Sequence, residues 1–333
     1  MVRAEISSQR TRKGGHFCWI ILALSSLIGL SVGHTAAWSA DKLNVGILKI
    51  SGVANAFVAK QQRMFERNGL DVRLVEFTSG ANAVNAAHAG DVDVFLSIAG
   101  FAMTATERGF ELAAVFQNET GRNSPPDSSS VQVLVNSPIK NLADLARKKI
   151  AVSGLNSQQV IGVQMILKKT GVDPRSVEFI ELPFPAHINA LNAGQVDAVV
   201  LVDPFTTQLL RSGAKVIAWS YVESIPDQPL GAWFAKRSFI DKNPKVIEAF
   251  NSTMKESIDY MNADAERARR DVAAFTGLSA DLLNEMPVPH LVYQVRPEQW
   301  QRVIDMLVEY KVLQKPHKPD DFFAEQIKPY IVR

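Results

Sequence analysis

Cysteine is nearly missing from this sequence, whose 333 residues include one, Cys18. Cys18 lies in an N-terminal apolar segment, so the rest of the chain has no disulfide framework. After residue 37 the sequence has no G-x-G-x-x-G, P-loop or G-x-S-x-G motif, which argues against nucleotide binding and serine-hydrolase chemistry. The four histidines beyond that point, at positions 88, 187, 290 and 317, lack metal-ligand spacing. We therefore expect a protein without catalytic residues, metal or cofactor.

A large net charge is also missing. The chain has 36 basic and 34 acidic side chains, and residues 1–37 hold four of the basic and one of the acidic ones. Without those residues the net charge would be −1, which argues against nucleic acid as a partner. At 47% hydrophobic and 21% charged residues, the chain can bury a sizeable core, and its length favours two globular units.

The N-terminus has the pattern of an export signal. Arg3, Arg10, Arg12 and Lys13 precede an apolar stretch over residues 17–32, and small residues follow at positions 35–37. This pattern predicts a cleaved signal peptide over residues 1–37 and a periplasmic mature protein. The alternative is a retained membrane anchor, since the apolar stretch approaches the length that spans a bilayer.

Apolar strands and amphipathic helices alternate from Leu43 onward. Strands are predicted over residues 43–50, 72–77 and 92–96, with a helix between each pair. Gly69 and Gly90 are predicted to end those helices. A β-α-β-α order of this kind indicates an α/β fold with a mostly parallel sheet covered by helices.

Two short patterns occur twice in the same order. Gly69-Leu-Asp71 is matched by Gly171-Val-Asp173, and Ala89-Gly-Asp-Val-Asp93 by Ala193-Gly-Gln-Val-Asp197, at offsets of 102 and 104 residues. The repetition predicts two similar lobes, although common helix-exit chemistry could give the same result. We expect chain crossings near residues 128–136 and 219–231. Lobe one would then comprise residues 38–130 and 231–333, with a helical C-terminal extension covering it, and lobe two residues 131–230 with the hinge segments.

These features together resemble the type II periplasmic binding proteins of ABC importers, in particular the nitrate/sulfonate/taurine group. The resemblance rests on the first strand and its polar loop, on residues 63–71 and 89–93, and on residues 191–199 followed by Asp203-Pro204. It implies two α/β lobes joined by two crossing segments, with a small ligand captured in the cleft by hinge closure. It also implies a membrane permease as partner, and we expect a monomer. The alternative is an enzyme of pyrimidine or thiamine-precursor metabolism on the same fold.

In open α/β sheets, ligands bind beyond the carboxyl ends of the strands, where loops lead into helices. Applied to the predicted strands, this rule selects polar, small and aromatic candidates in both lobes, and Trp233 is a further candidate as an aromatic wall of the cleft. The candidate ligand-binding residues are Ser51, Asn55, Ser79, Gly80, Ala81, Ser97, Gln117, Asn118, Ser153, Asn156, Ser157, Phe184, Asp203 and Trp233.

Several of these residues have a structural alternative. Ser79 and Ser157 are equally well explained as helix N-caps, and Trp233 as a core residue. Asp203 is expected either to cap a strand end or form a hinge salt bridge, or to face a ligand amine or an arginine in the cleft. Glu119 and Arg122 are expected to form a solvated surface pair, and the alternative is that they line the rim of the cleft. Because the loops at residues 79–81 and 156–158 lead into helices, we expect a ligand with an anionic group held by backbone amides. The competing hypothesis is a neutral or amine-bearing ligand bound by Asn55, Gln117 and Asp203.

Overall fold

The computed structural model describes residues 40–332, without the side chains of residues 280 and 283. Ten strands form two five-stranded sheets. The first sheet has the order β2-β1-β3-β10-β4 and the second β7-β6-β8-β5-β9. The strands are β1 (Asp41–Leu48), β2 (Leu70–Phe77), β3 (Val94–Ile98), β4 (Leu112–Thr120), β5 (Ser129–Leu134), β6 (Lys149–Val152), β7 (Glu178–Glu181), β8 (Ala198–Val202), β9 (Ala214–Trp219) and β10 (Pro229–Lys236).

The two sheets have the same topology. In the first, β1, β2 and β3 are parallel, and β10 pairs antiparallel with both β3 and β4. In the second, β6, β7 and β8 are parallel, and β5 pairs antiparallel with both β8 and β9. The chain enters the second sheet with β5, directly after β4 of the first sheet, and returns to the first sheet with β10, directly after β9 of the second. It therefore passes twice between the sheets.

The sequence repeat corresponds to equivalent positions in the two sheets. Asp93 accepts a hydrogen bond from the Asn44 backbone N–H at 2.8 Å, and Asp197 accepts one from the Lys149 backbone N–H at 2.8 Å. Asn44 lies in β1 and Lys149 begins β6, the central parallel strand of each sheet. The repeated aspartates therefore fix the approach of β3 and β8 to these strands.

The described helices alternate with the strands and then continue alone after β10. Those between strands are α1 (Ala54–Gln61), α2 (Met64–Arg67), α3 (Gly80–Ala89), α4 (Ala99–Ala105), α5 (Gln158–Lys169), α6 (Phe184–Asn192), α7 (Phe205–Arg211) and α8 (Ser220–Ser224). Those after β10 are α9 (Arg237–Lys242), α10 (Pro244–Asn262), α11 (Ala265–Thr276), α12 (Ala280–Glu285) and α13 (Pro297–Glu309). The predicted α/β class and helical C-terminal extension are confirmed.

The C-terminal helices pack mainly on the first sheet. In α10, Ile247, Phe250 and Met254 are fully buried in one cluster with residues of β1 and β4. In α13, Trp300 and Ile304 share a second cluster with β3, β10 and α4. The apolar stripes seen in the sequence are therefore core contacts.

Two short segments carry the chain between the sheets, over residues 121–128 and 220–228. They contact each other: the Gly121 N–H donates to the Gln228 carbonyl at 2.8 Å, and the Val222 N–H donates to the Asp127 carboxylate at 2.8 Å. The first crossing comes earlier than the predicted residues 128–136, because β5 begins at Ser129 and pairs with β8 from that residue on. The paired crossings have the arrangement of a two-stranded hinge.

Candidate functional site

A cavity lies between the two sheets, at the strand ends nearest the crossings. The empty space of this cavity, together with the open solvent at its mouth, is about 640 Å³. The first sheet contributes residues that follow β1 and β3 and the start of α3, and the second contributes residues that follow β6 and β8. The site therefore has the position that the strand-end rule predicts.

Some of the candidates from the sequence line this cavity. They are Ser51, Gly80, Ser97, Ser153, Phe184 and Asp203. Ser51 starts a short 3-10 turn after β1, and Ser97 lies within β3. Ser153 and Asp203 directly follow β6 and β8, so both sheets present polar groups to the same space.

Other candidates lie behind the cavity wall in a buried polar network. The Asn118 Oδ1 accepts hydrogen bonds from Asn55 Nδ2 at 2.8 Å and from Trp233 Nε1 at 2.9 Å. The Asn118 Nδ2 donates to the Gly52 carbonyl at 2.7 Å. Trp233 is fully buried in the core. These residues therefore support the 3-10 turn at Ser51 instead of facing the cavity.

Gln117 has a comparable supporting role. Its Oε1 accepts from Trp300 Nε1 at 2.8 Å, and its Nε2 donates to the Gln294 carbonyl at 2.8 Å. Gln117 thus ties β4 to the C-terminal helices. Its buried amide is satisfied by partners more than 170 positions away, which a local pattern does not reveal.

The two predicted helix-start loops have separate roles. Ser79 caps α3, and of its loop only Gly80 reaches the cavity, while Ala81 is half-buried outside the lining. Ser157 is fully buried and caps α5 by accepting from the Val160 N–H at 3.2 Å. Asn156 is exposed. The structure therefore does not bring the residue 156–158 loop to the cavity wall.

The position of Glu119 differs most from the expectation based on the sequence. An exposed pair with Arg122 was expected, yet Glu119 is 8% exposed and lines the cavity. Its carboxylate lies directly over Gly52, where an added Cβ would overlap with it, so only glycine leaves room. The strand β4 is buried along its whole length, and this carries Glu119 inward with it.

Burial, together with the charges of Asp127 and Asp203 and against a lowering by Arg122, raises the pKa of Glu119 from 4.5 to about 8. The carboxylate has no hydrogen bond or salt bridge to any residue in the described range 40–332. An isolated buried carboxylate is costly in the ionised form. A buried carboxylate without a hydrogen-bonding partner, as at Glu119, is therefore unusual in a cavity wall whose only role is structural.

Asp203 follows β8 of the second sheet and lines the same cavity as Glu119. It is 2% exposed, and its Oδ1 accepts from the Thr207 hydroxyl at 2.7 Å and the Thr207 N–H at 3.1 Å. Its backbone carbonyl accepts from the Ser51 N–H at 3.0 Å, which joins the two sheets. The Oδ2 is buried without a hydrogen-bond partner among residues 40–332. Burial raises the pKa of Asp203 to about 6, against the Thr207 hydrogen bonds.

A third carboxylate belongs to the hinge. Asp127 accepts from the backbone N–H groups of Ser128 and Val222, both at 2.8 Å, so it joins the two crossing segments. Burial raises its pKa as well. Tyr221 from the second crossing lines the cavity beside it, and burial together with the Asp127 charge raises its pKa.

An aromatic side chain bridges the lobes. Phe101, in α4, lines the cavity and packs on Gly154 of the loop after β6, where an added Cβ would overlap with the ring. The glycine is therefore needed for this close approach of the two sheets. His187 is fully buried, and its Nε2 lies 3.0 Å from the Leu182 carbonyl.

Two further features concern metal ions and membrane-spanning helices. Within residues 40–332, no cluster of His, Cys, Asp and Glu side chains is arranged to hold a metal ion. Over the same range, no helix has the length and apolar character that crossing a bilayer requires.

Two lobes of equal topology, two crossings and a cavity between them define the class of two-lobed periplasmic binding proteins. The chain belongs to the NMT1-like family, whose sequence profile matches residues 36–277. It is 27% identical to the taurine-binding periplasmic protein of Escherichia coli over 225 residues, 67% of each chain. It is 26% identical to the putative aliphatic sulfonates-binding protein of the same organism, over 79% of this chain and 81% of the relative.

The fold has close counterparts among solved structures. The alkanesulfonate-binding protein SsuA from Xanthomonas axonopodis pv. citri, bound to MOPS, superposes with a TM-score of 0.71 at 21% identity. That match covers 88% of this chain and 98% of the other. At this identity the likeness concerns the fold alone, and it confirms the two-lobed architecture predicted from the sequence.

Proposed function

We propose that this chain is the solute-binding component of an ABC importer, which captures a small organic ligand between two lobes and presents it to a membrane permease. The observation that carries the proposal is the cavity lined by polar groups of both sheets. A ligand in that position contacts both lobes only when they are close together. Binding would therefore shift the population towards the closed form.

The relatives support the same role. Both curated relatives are named as binding proteins, one of them periplasmic, and this chain spans two thirds or more of each. Their names give taurine and aliphatic sulfonates as ligands. The proposed ligand class is therefore a nitrate-, sulfonate- or taurine-like molecule or a related organic ligand. We propose a periplasmic monomer that is not an enzyme. The predicted signal peptide at residues 1–37 lies outside the described residues.

The proposed lobes are residues 38–130 with 231–333, and residues 131–230 with the hinge segments. Weak contacts join them away from the cavity. Arg211 forms two hydrogen bonds of 3.0 Å with Glu285, and Lys168 lies 3.8 Å from Glu309. All four side chains are at least 40% exposed, and such pairs contribute little. These exposed pairs would therefore add little to the closed form, to which the ligand's own contacts, the Ser51–Asp203 hydrogen bond and the Phe101–Gly154 contact would contribute more.

We propose ligand contact for Ser51, Gly80, Ser97, Ser153, Phe184 and Asp203, together with Glu119. In this proposal, Asn55, Gln117, Asn118 and Trp233 hold the wall behind them. Ser79 and Ser157 serve as caps. The roles follow from which side chains reach the cavity and which are satisfied by protein partners.

The test begins with protein purified from the periplasm of an expressing bacterium. Mass spectrometry identifies molecules released on denaturation, and small-angle scattering then compares the protein with and without the identified molecule. We expect a smaller radius of gyration with ligand. An unchanged radius at saturation would contradict hinge closure, and chemical conversion of the molecule, followed by NMR, would favour the enzyme alternative.

A further inference from the structure

The charged side chains that line the cavity are both acidic. They are Glu119 from the first sheet and Asp203 from the second, and within the described residues no Lys or Arg lines the same space. Arg122 lies behind Glu119, where its guanidinium donates to the Val288 carbonyl at 2.6 Å. A ligand in the cavity would therefore meet a carboxyl group from each lobe before it met any positive side chain.

We propose that the ligand carries a cationic nitrogen group, such as a protonated amine or amidine, which is bound by the carboxylates of Glu119 and Asp203. This deepens the proposed function, on which it depends, by assigning a chemical class to part of the ligand. The rest of the ligand, including any anionic end, would lie towards Gly80 and Ser97.

The carboxylate of Asp203 gives a second, independent indication. One of its oxygens is fully used by Thr207, while Oδ2 is buried in the cavity wall and has no partner among residues 40–332. An unpaired buried acceptor destabilises the folded protein, and a charged one does so more strongly. A nitrogen donor from a ligand would satisfy it, whereas an anion would leave it unpaired and add repulsion.

The position of the two carboxylates also couples recognition to closure. Glu119 lies near the end of β4 and Asp203 follows β8, so they belong to different sheets. A cation between them gains both attractions only in the closed form. In the absence of the cation, and where both carboxyl groups are ionised, the two like charges oppose each other across the cleft, which favours the open form.

The groups that face Glu119 set how binding depends on pH. They are Asp127, Asp203, Arg122, Tyr221 and His290. Burial among them raises the pKa of Glu119 to about 8, so the carboxyl group is mostly neutral at neutral pH. A bound cation favours the ionised form. Binding should therefore release protons, and the affinity should rise as the pH rises towards and past this value.

Because the natural ligand is unidentified, the probes are two small ions of similar size and opposite charge, methylammonium and methanesulfonate, with sodium chloride as the ionic-strength control. We expect methylammonium at about 0.1 M to raise the thermal midpoint by a few degrees more than sodium chloride does. The effect should be roughly tenfold stronger, as apparent affinity, at about pH 8.5 than at about pH 7.

Two variants locate the effect. Glu119→Gln and Asp203→Asn keep the side-chain shape, and the asparagine retains the oxygen that caps α7 at Thr207. Each should abolish most of the methylammonium effect, whereas Asp91→Asn, at an exposed turn, should leave it unchanged.

The proposal is overturned if methylammonium acts no differently from sodium chloride on the wild type. It is also overturned if methanesulfonate stabilises the protein and does so less as the pH rises, because Glu119 would then act as a neutral donor to an anion. Either result leaves hinge closure untouched. Scattering with the co-purified molecule tests that closure separately.

Discussion

The burial of Glu119 predicts that this protein loses stability as the pH rises from about 4.5 to about 8. The pKa is 4.5 in the unfolded chain and about 8 in the folded one, so the folded protein holds more protons across this interval. Stability falls with pH wherever the native state binds more protons. Below the interval the carboxyl is neutral in both states, and above it the cost has reached its full value.

The magnitude follows from the two pKa values. One pKa unit corresponds to about 1.4 kcal/mol, so the whole shift would amount to about 5 kcal/mol. Because the carboxylate borders a cavity that opens to solvent, we expect roughly half of this, about 2–3 kcal/mol. Glutamine at the same position keeps the shape of the side chain and does not ionise, so Glu119→Gln should be that much more stable than the wild type at about pH 8.5 and nearly equal to it at about pH 4.5.

Urea unfolding of the ligand-free protein at several pH values measures the effect, with Asp91→Asn as the matched control for removing an exposed carboxylate. The variant curve should be flatter than the wild-type curve. Asp203 and Asp127 shift in the same direction, so some decline should remain in the variant. Parallel curves for wild type and Glu119→Gln would refute the reasoning, since they would show that Glu119 is solvated when the protein is folded.

Three further changes test the scaffold. Gly154→Ala places a methyl group against Phe101, so it should weaken ligand affinity at least tenfold and leave the radius of gyration of the liganded protein larger in scattering. Adding Phe101→Ala to the same chain should restore both values, and a failure to restore them would locate the strain elsewhere. Asn118→Leu leaves several buried groups unpaired and should cost about 2–4 kcal/mol in urea unfolding; a loss below about 0.5 kcal/mol would contradict the network. Asp93→Ala and Asp197→Ala each remove an equivalent hydrogen bond of 2.8 Å and should cost similar amounts, about 1–2 kcal/mol, so widely different losses would argue against the structural repeat.

The fold could be predicted because its signals are local. Helix exits need a left-handed residue, and Gly69 and Gly171 adopt φ values of 80° and 83° at matching positions. Asp93 and Asp197 act on backbone groups of neighbouring parallel strands, which the β-α-β order already brings together. Two copies of the same local chemistry were thus enough to predict two similar lobes.

The wall behind the site could not be predicted in the same way. Strand alternation shows that Asn118 lies near the end of β4, but not which partners meet its side chain. Those partners are Trp233, which follows 115 positions later, and Asn55, which precedes it by 63. Side-chain direction at this strand end depends on the pairing of β4 with β10, a contact between distant segments.

Glu119 shows why burial is the informative property of a charged residue in such a chain. Carboxylates are mostly exposed in proteins, so a Glu after a strand is reasonably assigned to the surface. In this structure the whole strand is buried, and the carboxylate is kept inside without a hydrogen-bonding partner in the described range. Glutamine would have the same shape and avoid the cost of an ionised buried group. A carboxylate that reduces the stability of the free protein is explained when the opposite charge arrives with the ligand, since the same electrostatic cost then becomes attraction in the closed complex.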